Sequence, residues 1–367
     1  MKTLSRYLAK EVVLSALLVL AALLMLWVFY DLLAELSSLK ALNTAQFLVL
    51  VAATIPNHLY ELIPVAALIG TLFALAQLAS NSEYGVMRTS GVSTMQVAGV
   101  LLSVSLVAAG FVFVIGEYVV PQAEKLIIRV RAFSGARPLV ARAFDSGFWF
   151  KDGNTFINIG SVLPDGALKT VRVFEYADGT NLARTVFAEG ATFQGGQVWN
   201  LDKVTETTFT AGANAGVGAS SAPGVTVQQQ AQKVWNTVLT PNMLSVLQIA
   251  PERLSIAGLW EYITHLQNNQ QDSRRFEVAL WGKFFYPLAT CVLMLLALPF
   301  AQIQQRSAGI GTRIFVGILL GLVFIVCNRL FSYLALLHEW PPFLGAILPG
   351  IIFLTAGAIM LYRLERR

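Results

Sequence analysis

Residues 12–30 read VVLSALLVLAALLMLWVFY and contain no charged side chain. A helix rises about 1.5 Å per residue, so this stretch extends ~28 Å, close to the thickness of the hydrocarbon core of a bilayer. The apolar core of a secretory signal peptide is shorter, roughly 7–15 residues, and no small-x-small cleavage site follows before Asp31. The stretch, preceded by Lys2, Arg6 and Lys10, therefore predicts a first membrane-spanning helix that is not cleaved.

The composition of the whole chain also indicates a membrane protein. Hydrophobic residues make up 56% of the 367 residues and charged residues only 13%, well below the charged fraction of soluble domains. No basic helix or aromatic RNA-binding motif accompanies the net charge of +5, which argues against nucleic-acid binding. Six spans of suitable length are predicted, at about 12–34, 55–79, 96–120, 278–302, 311–337 and 341–362.

A polar segment with many glycines lies between the third and fourth predicted spans. Its short apolar runs are bounded by Gly, Asp, Asn or Pro, and Asp152-Gly153 and Asp178-Gly179 are typical turn dipeptides. Several short strands at this spacing predict a sandwich or jelly roll. The predicted fold is an α-helical membrane protein with six transmembrane helices and an all-β jelly-roll domain between helices 3 and 4. The predicted domains are residues 1–120, 121–277 and 278–367.

Positive charge is unevenly distributed among the short loops. With six spans both termini lie on one side of the membrane, and the short loops of the opposite side contain only Lys40. Cytoplasmic loops are enriched in Lys and Arg, so we expect both termini in the cytoplasm and the β-domain outside. Nine basic residues lie on the side of the termini: Lys2, Arg6, Lys10, Arg88, Arg306, Arg313, Arg363, Arg366 and Arg367.

The sequence contains none of the common catalytic motifs. G-x-x-x-x-G-K-[ST] is absent, so the chain is not expected to hydrolyse ATP, and neither HExxH nor G-x-S-x-G indicates a hydrolase. His58, His265 and His338 are scattered along the chain. Cys291 and Cys327 lie in apolar runs without metal-ligand spacing and are expected to be buried thiols. We therefore predict a non-catalytic protein without a metal site.

The loop between the second and third predicted spans carries signals for the start and end of a helix. Ser80-x-x-Glu83 fits a capping box, and Gly91 fits a left-handed C-terminal stop. These signals predict a short helix within residues 80–91 that lies along the cytoplasmic face of the membrane. In the simplest interpretation, Glu83 only caps this helix.

Several basic side chains are candidates for binding phosphate. Lys125 and Arg129 are four residues apart and share a helix face, and Arg131 follows. Arg and Lys form strong charge-assisted hydrogen bonds with phosphate, and the alternative is an ordinary solvated face or pairing with Glu124. Arg329 interrupts the fifth span, where a charge is costly, so it is expected either to contact a ligand or to snorkel to the interface.

Several stretches resemble one family of membrane proteins. They are Arg6-Tyr7, PVAALIGTLFALAQLASNSEYGVMRTSGVSTMQV at 64–97, GEYVVPQAEK at 116–125, WFKDGNTFINI at 149–159 and SIAGLWEYITHLQNNQQDSRRFEVALWGKFFYPL at 255–288. The chain resembles the LptF/LptG permeases, which extract lipopolysaccharide from the inner membrane of Gram-negative bacteria. The KDG-x-x-F and QDS-x-x-(Phe/Tyr) segments are more similar to the LptG branch than to the LptF branch.

The resemblance implies a set of partners. A permease of this family forms a heterodimer with an LptF paralogue and works with a cytoplasmic LptB ATPase dimer, which uses ATP and magnesium. LptC packs a single helix beside the pair, and LptA extends the path of jelly rolls toward the outer membrane. The chain would then be a permease subunit of an ABC transporter in the bacterial inner membrane, without a cofactor of its own.

The resemblance also implies roles for individual residues. The predicted short helix would be a coupling helix seated in a groove of the ATPase, and its candidate contacts are Glu83, Tyr84, Met87 and Arg88. The candidates for lipopolysaccharide contact are Lys40, Lys125, Arg129, Arg131 and Arg329. The alternation Phe148-x-Phe150 places two rings on one strand face. The candidates for the interior of the jelly roll are Phe148, Phe150, Phe156 and Ile157.

The chain departs from the family near the outer ends of the first two helices. Permeases of the LptG type often carry lysines there, whereas this sequence has Asp31, Ala34 and Asn57, with only Lys40 close by. The identity of the side chains that meet lipid phosphates is therefore open.

Two other functions are considered beside the permease. A homodimeric secondary transporter would need a proton or ion site in the membrane, and the predicted spans hold no central Asp or Glu. A membrane-anchored periplasmic lipid-binding module would need only one or two anchors, which leaves six spans unexplained. Co-purification of an ATPase would distinguish the permease from both.

Overall fold

The chain divides into two compact units. The computed structural model describes residues 2–35, 43–133, 147–163, 166–177, 181–210, 224–241, 243–244, 249–303 and 310–365. The first unit, here called the membrane unit, comprises Met1–Glu124, Pro251–Trp260 and Ser273–Arg367. The second, called the β unit, comprises Lys125–Ala250 and Glu261–Asp272.

Six of the helical segments in the described residues are long and apolar enough to cross a membrane, which confirms the predicted number. They extend beyond several predicted spans because a helix continues to satisfy its backbone hydrogen bonds past the apolar core of the membrane. In chain order the helices are α1 (Lys2–Glu35), α2 (Thr44–Ser80), α3 (Glu83–Thr89), α4 (Thr94–Val114), a π-helical turn (Ile115–Val119), α5 (Val120–Phe133), α6 (Ile256–Asn268), α7 (Arg274–Ile303), α8 (Ile310–Leu337) and α9 (Pro342–Glu365).

Helix α2 is the centre of the membrane unit. In the most apolar 18-residue stretch of α2, 78% of the residues are buried. The corresponding stretches of α1 and α8 are only 11% and 17% buried. Its side chains Leu68 and Leu72 pack in one core with Leu101 of α4 and Leu293 of α7. Helices α1 and α8 instead turn most of their apolar side chains outward, so their outer faces can contact lipid or other apolar helices.

The β unit contains an antiparallel sheet of six described strands. The all-β prediction is confirmed. The described strands pair in chain order, because each strand turns back directly onto the next. The strands are β1 (Phe148–Asp152), β2 (Thr155–Val162), β3 (Leu168–Tyr176), β4 (Leu182–Gly195), β5 (Val198–Thr210) and β6 (Gly224–Asn236).

One face of the sheet is buried and forms the core of the β unit. Phe148 pairs with Ile159 and Phe150 pairs with Ile157, and all four side chains are buried. Phe156 is 37% exposed, so its predicted place in the interior is wrong. Successive side chains of a strand point to opposite faces, and Phe156 and its neighbour Ile157 therefore cannot both face inward.

Residues from outside the sheet cover part of this inner face. The ring of Phe150 stacks on His265 of α6, with the ring centroids 4.5 Å apart. Trp199 of β5 is fully buried, and its Nε1 donates a hydrogen bond to the carbonyl oxygen of Leu239 at 2.7 Å. Thr237, which directly follows β6, lies with its Oγ1 3.5 Å from Asp152 of β1, so the sheet curls until its two ends approach each other.

Candidate functional site

The segment between α2 and α4 contains the predicted short helix, but its N-terminus is capped differently. Helix α2 continues to Ser80, whose Oγ donates to the carbonyl oxygen of Gln77 at 2.8 Å. Helix α3 begins only at Glu83, after Ser82 in a left-handed conformation with φ 62° and no side-chain cap. The predicted capping box is therefore wrong, because Glu83 is the first helical residue rather than the third. The left-handed stop is confirmed at Gly91, with φ 88°.

The carboxylate of Glu83 is held by two neighbouring elements. The hydroxyl of Tyr7, near the start of α1, donates to Glu83 Oε2 at 2.9 Å. Asn81 Nδ2, in the turn after α2, donates to Oε1 at 3.3 Å. Both carboxylate oxygens thus have a donor, and the position of the side chain is defined before any partner protein binds.

Helix α3 has one buried and one exposed face. Tyr84 and Met87, one turn apart, are 5% and 8% exposed and belong to the core of the membrane unit. Val86 is 63% exposed, and Arg88 is also exposed. Of the four predicted coupling residues, Tyr84 and Met87 therefore anchor the helix, whereas Arg88 and Glu83 are accessible. The exposed Val86 was not among the predicted residues, because a single apolar residue in a polar loop gives no signal of its own.

The predicted lipid-binding side chains belong to different elements. Lys125 and Arg131 are half-buried and Arg129 is exposed, all on α5. Arg329 is exposed on α8. Lys40 lies outside the described residues.

A polar network links three separate parts of the membrane unit. Glu124, at the end of the third span, is 7% exposed, and its Oε1 accepts hydrogen bonds from Asn57 of α2 and from Arg253 at 2.7 Å. Glu117 accepts a hydrogen bond from the backbone nitrogen of Ile256 at 2.9 Å, which places a carboxylate at the start of α6. No local pattern in the sequence indicates this network, because its partners are distant along the chain.

Lys283 of α7 is a buried cation in the same unit. Its side chain is 4% exposed, and its Nζ donates to the carbonyl oxygen of Gly116, in the π-helical turn, at 2.8 Å. The Nζ also lies 5.3 Å from the ring centroid of Tyr60. A π-helical turn leaves carbonyl groups without their usual helical donors, so an ammonium group is a suitable partner.

A second polar cluster joins α1 to α2. Asp31 Oδ2 accepts a hydrogen bond from Thr54 Oγ1 at 2.6 Å and lies 2.7 Å from His58 Nε2. The His58 ring stacks on Trp27 with centroids 5.2 Å apart. Asp31 is therefore part of an interhelical contact.

Four charged side chains form a ladder on the inner face of the β unit. Arg184 donates to Glu175 from Nε at 2.9 Å and from Nη2 at 2.7 Å, and to Glu206 from Nη1 at 2.8 Å. Lys233 also donates to Glu206. The hydrogen bond from Lys233, opposed by burial and supported by Arg184, holds the pKa of Glu206 below its usual value. This set of Glu175, Arg184, Glu206 and Lys233 is here called the charged ladder.

The described residues contain no group of three or more His, Cys, Asp or Glu side chains placed to hold a metal ion. The polar clusters combine acids with bases and with backbone groups. Their chemistry is suited to fixing helices and strands and to hydrogen bonding, and a nucleophile paired with a general base is not among the contacts described above.

Comparison with known proteins gives a consistent result. The family described as "Lipopolysaccharide export system permease LptF/LptG" matches residues 6–363. The lipopolysaccharide export system permease protein LptG of Escherichia coli is 34% identical over 84% of this chain and 83% of its own length. The protein of the same name from Haemophilus influenzae is 31% identical over 84% of both chains.

Proposed function

The chain belongs to the LptF/LptG family of lipopolysaccharide export permeases, and on that basis we propose how its two units move the lipid. It is a multi-pass protein of the inner membrane and a permease subunit of the lipopolysaccharide exporter. The match over residues 6–363 carries this conclusion, because it includes all six spans and the β unit.

In the proposed orientation both termini and α3 face the cytoplasm, and the β unit lies in the periplasm. The support is the charge distribution, since basic residues are concentrated on the side of the termini and of α3. Tyr84 and Met87 are buried and anchor α3, which leaves its exposed side chains to face the cytoplasm in this orientation.

The proposed partners are an LptF-like second permease subunit, an LptB ATPase dimer, LptC and, through the β unit, LptA. Support for a second permease subunit comes from α1 and α8. Only 11% and 17% of the residues in their most apolar stretches are buried within this chain. The chain lacks a phosphate-binding loop, so ATP and magnesium are assigned to the partner ATPase.

In the proposed mechanism, lipopolysaccharide enters the membrane unit laterally, between α1 of one permease subunit and α8 of the other. Its acyl chains meet the outward apolar side chains of these helices, and its phosphates meet basic residues such as Arg129. Closure of the ATPase dimer moves α3 and narrows the cavity between the subunits. The lipid then passes to the buried inner face of the β unit, where Phe148 and Phe150 lie.

Site-specific photo-crosslinking in the complete transporter tests this mechanism. A photoreactive amino acid replaces Phe150, which faces inward, and in a matched control it replaces Trp149, which is 53% exposed on the opposite face of the same strand. We expect the position of Phe150 to capture lipopolysaccharide several-fold more when ATP is supplied. Capture at Trp149 should not respond to ATP.

A second inward position, Phe148, repeats the measurement in case substitution at Phe150 disturbs the sheet. Equal capture with and without ATP at both inward positions would show that the β unit is not on the path of transport. The secondary transporter and the binding module both predict that result, because neither couples ATP hydrolysis to movement of the lipid.

A further inference from the structure

The inner face of the sheet changes from polar to apolar along its strands. At one end, Thr155 lies between Asp152 and Glu175, and Arg184 is paired with Glu175 and with Thr208. The polar row is defined as Asp152, Thr155, Glu175, Arg184 and Thr208. The next two inward rows across β1–β4 are apolar and consist of Phe150, Ile157, Val173 and Val186, then Phe148, Ile159, Val171 and Ala188.

A cavity of about 240 Å³ adjoins both kinds of row. Its lining includes Thr155 and Arg184 from the polar row and Ile157 and Val186 from the first apolar row. Pockets for drug-sized ligands hold about 300–1,000 Å³, so this cavity suits one ring-sized group rather than a whole lipid. A ligand here would have a polar part at one end and an apolar part at the other.

Acidic and basic side chains line the cavity in equal number. Asp152 and Glu175 are the acids, and Arg184 and Lys233 are the bases. A lone anion would meet as many like charges as opposite ones, and Arg184 is already held by carboxylates. Hydroxyl groups both donate and accept hydrogen bonds, so a polyhydroxylated ring can use donors and acceptors of both kinds.

The charged ladder lies on a face that also accommodates apolar residues. Half-buried ion pairs lose hydration, and replacement of such pairs by well-packed apolar residues is often neutral or stabilising. The neighbouring rows show that apolar pairs, such as Val173 with Val186, are accommodated on this same face. Packing of the sheet therefore does not require polar groups at this end of the face, and Asp152 and Thr155, which lie outside the ladder, are available to a ligand.

We propose that the polar row binds the saccharide headgroup of a glycolipid whose acyl chains lie along the apolar rows. This inference rests on the proposed function and adds the orientation of the lipid in the β unit. The sugar ring occupies the cavity beside Thr155 and Asp152. The hydrogen bond that Asp152 accepts from Thr237 is long, at 3.5 Å, and the contacts described above include none from the hydroxyl of Thr155.

The test uses the complete transporter with the photoreactive amino acid at Phe150 and two probes, purified lipopolysaccharide and lauric acid, which has a chain but no sugar. The variant combines Asp152→Asn with Thr155→Val, which keeps both shapes and leaves the charged ladder intact. The matched control is Thr207→Val, on the opposite face of β5 from Thr208. Loss of two hydrogen bonds should weaken lipopolysaccharide capture about ten-fold and leave lauric acid capture unchanged.

The outcomes separate this site from the proposed function. Wild-type capture of lipopolysaccharide that the double variant does not weaken would overturn the headgroup site and leave the transport path standing. Loss of both probes in the double variant alone would also overturn it, because the row would then support only the sheet. Failure of lipopolysaccharide to reach Phe150 even in the wild-type protein would contradict the proposed function itself.

Discussion

At the scale of single residues, Glu83 combines accessibility with a fixed position. Tyr7 and Asn81 donate hydrogen bonds to its two oxygens from different elements, and Tyr84 beside it is buried. A side chain that is already ordered loses little conformational entropy on binding. In the proposed complex, a cationic or backbone donor of the ATPase would therefore meet a carboxylate that is ready to accept.

Glu83→Ala should leave the protein inserted and abundant, yet weaken ATPase association or uncouple hydrolysis from export. The loss within this chain is two solvent-exposed hydrogen bonds, too little to unfold six spans. Loss of a charged hydrogen bond to the partner removes roughly 1.5–3 kcal/mol, or about ten-fold to 100-fold in affinity. Pull-down of the ATPase and export assays measure both effects.

Tyr7→Phe and Glu83→Gln serve as matched controls for that prediction. Tyr7→Phe keeps the carboxylate but removes one of its two hydrogen-bond donors. Its effect on ATPase association should therefore be smaller than that of Glu83→Ala. The second keeps the shape and removes the charge. Normal association and export in the Ala and Gln variants would show that coupling runs through other residues of the segment, such as Val86 or Arg88.

At the scale of elements, the contact between α1 and α2 depends on a glycine. A Cβ added to Gly70 would lie 2.4 Å from the Cα of Ala16, a backbone atom that moves only with its helix. In contrast, a Cβ on Gly110 of α4 meets nothing within 4 Å. Without a strong hydrophobic force between helices in lipid, such close backbone approaches supply much of the packing energy.

Gly70→Ala should therefore separate α1 from α2 and lower the free energy of unfolding by about 1–3 kcal/mol, as overpacking does elsewhere. Gly110→Ala is the control and should have little effect. Thermal unfolding and yield in detergent measure the difference. A Gly70→Ala protein as stable as the Gly110→Ala protein would mean that α1 can shift without cost, and that the contact is not a fixed one.

At the scale of the whole molecule, the division of labour between membrane unit and ATPase gives a further prediction. The chain purified free of other polypeptides should hydrolyse ATP no faster than buffer, because the sequence has no phosphate-binding loop. Co-expressed with its partner ATPase, it should retain that protein on an affinity column. Robust hydrolysis by the isolated chain would remove the basis for the proposed mechanism.

The sequence by itself determined the six spans, the β insertion and the short helix at the loop after α2. Each depends on a local property, namely the length of an apolar run, turn dipeptides or a glycine in the left-handed region. Each of these properties can be recognised within about 20 residues of sequence. The absence of a phosphate-binding loop is likewise a property of the sequence alone.

The tertiary structure alone decided which side chains meet. Tyr7 and Glu83 are 76 residues apart, and Glu124 and Arg253 are 129 apart, so no local pattern links them. The inward or outward direction of Phe156 depends on strand register, where a shift of one residue reverses the face. The polar row exists only because pairing aligns residues from five strands, and that alignment is fixed by packing of the whole sheet.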